Sequence, residues 1–176
     1  MKIFLSNKRN NLFLLPILVL IGLQSCLRMR WRDEKALTVF RHQKVPLVIY
    51  DTIIAHRHIH YAISSAHDTL PWLVFIHGSP GSWFHYKRFM LDSDLRQKFQ
   101  IVSIDRPGFG FSDFGKALHL DEQANLIGPV LQNLNGKPMF LCGHSMGGPL
   151  VIKLAADHQI PWKNYDALKT VLQKLN

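Results

Sequence analysis

Three nearly continuous apolar runs constrain this chain more than any other feature: "LPWLVFIHG" at 70–78, "FQIVSIDRPG" at 99–108 and "MFLCG" at 139–143. Each is the length of a strand, and each stops at a glycine or a Pro-Gly pair. A strand that is apolar at every position, rather than at alternate ones, is covered on both faces. Helical patterns lie between and after them, at residues 83–98, from Asp121 to Leu134, and from Met146 to Asp157. Pro149 falls in the first turn of the last of these, where its missing N–H does no harm. Buried strands alternating with helices build a parallel sheet through right-handed crossovers, so the fold class is α/β.

Upstream, "VPLVIYDTII" (45–54) and "HRHIHYAISS" (56–65) read as two strands paired antiparallel at a sheet edge. "DEKALTVFRHQKV" (33–45) is polar and carries no assigned element. In an open α/β sheet, ligands bind beyond the carboxyl ends of the strands. Three loops occupy that position: "HGSPGSW", "DRPGFGFSD" and "GHSMGG".

Taken together and in that order, these loops resemble the α/β-hydrolase fold family over roughly Val45 to Asp157. "GHSMGG" resembles the G-x-S-x-G nucleophile elbow, which makes Ser145 the nucleophile. The physical need is for small residues beside a sharply turned serine, which Gly143 and Gly147 meet. "HGSPG", with His77 and Gly78, resembles the loop that forms the oxyanion hole. By carry-over the two oxyanion N–H groups belong to Ser79 and Met146, since Pro80 has none to give. "DRPGFGFSD" and "HIHY" (58–61) resemble the branch that contains epoxide hydrolases, dehalogenases, esterases and carbon–carbon hydrolases. Epoxide hydrolases and dehalogenases of this fold use aspartate at the elbow. A serine there implies acyl chemistry on a small-molecule ester, thioester, amide or activated carbon–carbon bond. No cofactor is implied.

The resemblance also implies an acid and then a histidine after the serine. Only Asp157, His158 and Asp166 of those types follow Ser145. At about 1.5 Å per helical residue, His158 stands about 20 Å from the serine, whereas a general base must come within about 3 Å. His144 is adjacent to Ser145 and cannot easily reach its hydroxyl; His77 suits loop organisation; Asp105 and Asp113 can approach the site but do not replace a histidine. The chain therefore reads as an α/β-hydrolase sheet cut short, with acid and base not present. Residues 158–176 read as a turn and an amphipathic helix, with Leu168, Val171, Leu172 and Leu175 at helical spacing. Unless that helix covers it, the strand before Ser145 keeps one bare edge that can pair with another chain.

The N-terminus is an address. "MKIFLSNKRNNLFLLPILVLIGLQSC" has a basic start, an apolar run from Leu12 to Leu23 and a small residue before Cys26. This is the layout of a signal peptide. "LQSC" further resembles the lipobox of bacterial lipoproteins, which implies cleavage before Cys26, a lipid on that cysteine and anchorage in the cell envelope. The expected organisation is a signal peptide at 1–25, a lipidated tether at 26–44, the hydrolase portion at 45–157 and an atypical helix at 158–176. A plain signal peptide or uncleaved anchor remains the alternative.

The net charge of +9 does not indicate nucleic acid, because Lys2, Lys8 and Arg9 precede the apolar run and Arg28, Arg30 and Arg32 follow it. Two cysteines, one in the signal region and one in a strand, make neither a disulfide framework nor a Cys-based metal site. His56, His58 and His60 alternate, and a solvated edge-strand face explains them better than a metal site. Trp83, Phe84 and Tyr86 read as helix packing, whereas Phe109 and Phe111 fit pocket lining and loop packing equally. Two functions are open: a membrane-anchored serine hydrolase, and a non-catalytic lipoprotein fragment that binds a partner at the sheet edge.

Overall fold

The computed structural model describes residues 33–65, 67–134 and 136–157. The expected signal peptide, Cys26 and the expected helix of 158–176 lie outside the described residues. Among those described, no helix is long and apolar enough to cross a membrane.

Five strands form one sheet: β1 (Val48–Ile54), β2 (Arg57–Ser64), β3 (Trp72–Ile76), β4 (Gln100–Ile104) and β5 (Met139–Gly143), in the order β1-β2-β4-β3-β5. β3 runs parallel to both β4 and β5, while β2 is antiparallel to β1 and to β4. This is the expected mostly parallel sheet with an antiparallel N-terminal pair. Every residue of β3 and β4 is buried, and the pleat explains why both runs are apolar throughout. Val74 and Ile76 pack into one core, Leu73 and Phe75 into another on the opposite face. Among the described residues β5 pairs only with β3. An apolar groove of about 830 Å³ lies beside it, with Leu141, Pro149 and Ile152 on its walls.

Helices cover both faces. The segment expected as one helix at 83–98 is three pieces: a 3₁₀ turn (Trp83–Tyr86), α2 (Lys87–Leu91) and α3 (Ser93–Arg96). Asp92 makes the break, because its extended backbone leaves its carboxylate free to accept the Leu95 N–H at 2.9 Å, a helix N-cap. On the other face, α4 (Leu120–Gln132) and α5 (Gly147–Asp157) carry Ile127, Leu131, Leu150 and Leu154 into the core. Lys153 links these two helices, 2.9 Å from Asp121 and 3.1 Å from Asp157.

Residues 33–42, expected within a tether, form helix α1 (Asp33–His42). Its first turn holds Asp33 and Glu34 and its last Arg41 and His42, the charge order that complements a helix dipole. Ala36 and Phe40 are buried in the same core as Leu73 and Phe75. The polar sequence conceals this because only two positions of the helix need to be apolar.

The histidine triplet is corrected by the sheet. His56 is not in a strand: with Ala55 it forms the β1–β2 turn, at φ 61° and 47°. β2 is an inner strand, because β4 pairs on its second side, so the expected solvated edge face does not exist. His60 is 1% exposed. Its Nδ1 lies 3.0 Å from Asp51 Oδ1 on β1 and its Nε2 3.5 Å from Asp33 Oδ1 on α1. His58 Nδ1 stands 3.3 Å from the same Asp51 oxygen. Burial opposes a charge on His60, but Asp33, Asp105 and Asp51 together outweigh it and raise its pKa above 6.5. Among the described residues no group of three or more His, Cys, Asp or Glu is disposed to hold a metal ion.

Two expected outcomes follow from this packing. Phe40→Ala should lower the unfolding free energy by about 3–5 kcal/mol in urea titration; a loss under about 1 kcal/mol would mean that α1 is not part of the core. His60 holds its proton more tightly folded than unfolded, so its contribution is complete below pH 6.5 and fades as pH rises through the raised folded value. Asp105, pushed up to about 6, titrates below that window. The stability that wild type holds over His60→Gln, read as the difference in melting temperature at each pH, should therefore be greatest below pH 6.5 and shrink as pH rises above it; a difference that does not change with pH would refute the assignment.

Candidate active site

Strand register brings the three glycine-containing loops together. Ile76 pairs with Ile104 of β4 on one side and with Gly143 of β5 on the other. The loops after β3, β4 and β5 therefore start at one level, with the β3 loop in the middle.

The β5 loop is a sharp turn into α5. Ser145 has φ 50°, and the turn is closed by Gly147 N–H to His144 O at 2.8 Å. A left-handed conformation at a non-glycine residue costs on the order of 1–3 kcal/mol and persists only where its surroundings dictate it. Here they do. A β-carbon on Gly143 would strike the Gly147 carbonyl, and one on Gly147 would strike the Ile76 carbonyl. Ser145 itself is exposed, just before the N-terminus of α5, where the dipole favours negative charge. Met146 is exposed beside it.

The β3 loop presses against the serine: a β-carbon on Gly78 would lie 2.9 Å from Ser145 Cβ. His77 is buried, with Nδ1 2.7 Å from Gly78 O and Nε2 accepting the Arg106 N–H at 3.0 Å. That pattern makes His77 a neutral ring carrying its hydrogen on Nδ1. Burial lowers its pKa to about 3, against a smaller opposing effect from Gly78 O. Both nitrogens are engaged, so His77 organises the loop and has no lone pair to offer a serine proton. Ser79 and Pro80 are exposed beyond it.

The β4 loop is held by a buried Asp-Arg pair whose side chains go opposite ways. Asp105, fully buried, accepts N–H groups from Trp83 at 2.6 Å and Phe111 at 2.8 Å. Burial raises its pKa to about 6, and those two N–H groups act against the rise. Arg106 donates from Nη2 to Gly78 O at 3.0 Å and Ser79 Oγ at 2.6 Å, and from Nη1 to Gln123 Oε1 at 3.1 Å. Asp113 is bound to β2, where it accepts the His58 N–H at 2.8 Å. Neither of the two aspartates that sequence placed near the site is therefore directed at Ser145. Phe109 stacks edge-on against His77 and Phe111 meets His60, so both aromatics are tied into loop packing.

Among the described residues, no histidine or carboxylate hydrogen-bonds to the Ser145 hydroxyl. Cys142, on β5, is a partly buried free thiol whose pKa is raised by that burial. Sequence reasoning missed Arg106 and Gln123, and it read Tyr86 as packing, which its burial bears out, without the hydroxyl contact. The Tyr86 hydroxyl donates to Ile76 O at 3.0 Å, and the His144 N–H donates to the same carbonyl at 3.1 Å. For Arg106 the signal was present: a charged pair directly at the end of a buried strand must be satisfied inside the protein.

Comparison with known proteins accords with this geometry. The family model for the alpha/beta hydrolase fold matches residues 71–165. Epoxide hydrolase 1 of Caenorhabditis elegans is 29% identical over 103 residues, 57% of this chain and 25% of the relative. Haloalkane dehalogenase 2 of Mycobacterium tuberculosis is 31% identical over 101 residues, 56% of this chain and 34% of the relative. The chain thus spans between a quarter and about a third of the length of these curated relatives. Among solved structures, a bacterial membrane phospholipase A superposes with a TM-score of 0.61 at 23% identity, over 85% of this chain and 48% of that one. The epoxide hydrolase VrEH1 of Vigna radiata gives 0.57 at 17% identity, over 65% and 37%. These structural likenesses establish the fold alone. With more than half of its residues matched by the family model, the chain belongs to the alpha/beta hydrolase fold family.

Proposed function

We propose that this chain carries the nucleophile and oxyanion hole of a serine hydrolase acting on an ester, thioester, amide or related acyl bond. The observation that carries the reading is the strained, exposed Ser145, held at φ 50° against Gly78. Its Oγ attacks the acyl carbonyl, and the negative charge that develops on oxygen is met by the Ser79 and Met146 N–H groups. A histidine must take the serine proton and return it to the leaving group. With His77 engaged at both nitrogens, that histidine and its acid come from residues outside the described ones. The similar epoxide hydrolases and dehalogenases favour hydrolysis in general. Serine rather than aspartate at the elbow favours acyl transfer, and the name of the similar membrane phospholipase A is in keeping with it.

We propose further, on the basic start, apolar run and "LQSC" of the N-terminus, that the protein is anchored at the bacterial cell envelope. Residues 1–25 act as the signal peptide and Cys26 carries the lipid, so the membrane is a partner and nucleic acid is not. Cys26→Ser should release the protein from the membrane fraction or block its processing; unchanged retention and mass would overturn the anchor.

Activity is tested by incubating the full chain with a fluorophosphonate. Ser145 should become labelled, and Ser145→Ala should abolish the label while the fold, followed by circular dichroism, persists. A folded protein that stays unlabelled would favour a non-catalytic lipoprotein instead.

A further inference from the structure

Arg106 stands out among the buried groups. It is 2% exposed, and its partners are Gly78 O, Ser79 Oγ, Gln123 Oε1 and the Phe109 ring, whose centroid lies 4.4 Å from Cζ. None of these is a carboxylate, and the buried Nε has no partner. The neighbouring carboxylate, Asp105, turns to the opposite side of the sheet, where it accepts the Trp83 and Phe111 N–H groups. A buried cation without a counter-ion is costly to desolvate, and only its hydrogen bonds offset that cost. Two of its three donated bonds go to the loop that carries the Ser79 N–H.

We infer that Arg106 is a positioning residue for the oxyanion hole, acting through the side chain of Ser79. This rests on the reading of Ser145 as nucleophile and Ser79 as an oxyanion donor. The planar guanidinium holds two points of the loop at once, the Gly78 carbonyl and the Ser79 hydroxyl, which fixes the peptide between them. That peptide carries the Ser79 N–H. Both of those bonds leave Nη2, while Nη1 holds Gln123 Oε1 on α4; a lysine has a single nitrogen and cannot span the loop and Gln123 together. The Ser79 hydroxyl is therefore more than a loop-surface group: it is the acceptor through which the buried charge sets the loop.

The test is a double-mutant cycle on the full chain, read as the rate of Ser145 phosphonylation by a fluorophosphonate. Loss of one oxyanion-hole donor slows catalysis by about 10²–10³. Arg106→Met should approach a loss of about a hundredfold and Ser79→Ala about tenfold, by the same principle that a misaligned donor is partly lost. Circular dichroism should show Ser79→Ala still folded at the assay temperature, so its slower labelling would not reflect unfolding. The double variant should be no slower than Arg106→Met alone, because both changes break one linkage. Arg106→Lys should not restore the wild-type rate. Labelling of Ser79→Ala at the wild-type rate, or losses that multiply in the double variant, would overturn the inference. Amide hydrogen exchange at Gly78, Ser79 and Gly81 supplies a second measurement that needs no activity. Faster exchange there in Ser79→Ala supports the linkage, and unchanged exchange refutes it. If wild-type Ser145 is never labelled, the hydrolase reading fails and exchange alone decides whether Arg106 sets the loop.

Discussion

The carbonyl oxygen of Ile76, at the last position of the central strand, is the point on which the site depends. It accepts the His144 N–H from the elbow and the Tyr86 hydroxyl from the 3₁₀ turn. It also lies where a β-carbon on Gly147 would have to go. One acceptor thus connects β3, β5 and the helical layer beneath them. Because a carbonyl has two lone pairs, it satisfies both donors without competition. The elbow can hold Ser145 in a costly conformation because its N-terminal side is bonded to the sheet and its C-terminal side abuts it.

The second device is the Asp105–Arg106 dipeptide. Successive side chains at the end of a strand point to opposite faces, so adjacent residues can serve separate structures. Asp105 fastens the start of the 3₁₀ turn to the β4 loop. Arg106 fastens the β3 loop from the other face. Hydrogen bonds to charged groups are the stronger class, and in this region they hold loops rather than regular elements. The result is a rigid surround for a serine that is itself exposed.

Much of this was legible in the residues. Continuous apolar runs marked β3, β4 and β5, and glycine positions marked the elbow, because a strand buried on both faces and a turn without room for side chains leave direct traces in composition. The histidines of the β1–β2 region show the limit. Their spacing of two was read as one solvated face, but pairing with β4 made β2 an inner strand and put His60 in the interior. Helix α1 was equally hidden, since its burial rests on Ala36 and Phe40 in an otherwise polar stretch. In both cases the deciding neighbour is distant in sequence.

The sequence by itself determined the class of fold, the order of the three loops and the identity of the serine at the turn. Those follow from local rules: hydrophobic period, steric room and the positions of glycine and proline. Only the tertiary structure decided that His77 is engaged at both nitrogens, that Asp105 and Asp113 face away from the serine, and that Arg106 reaches Ser79. Each is a question of which partner meets a buried polar group, and that is fixed by strand order and register rather than by the residues nearby in the chain.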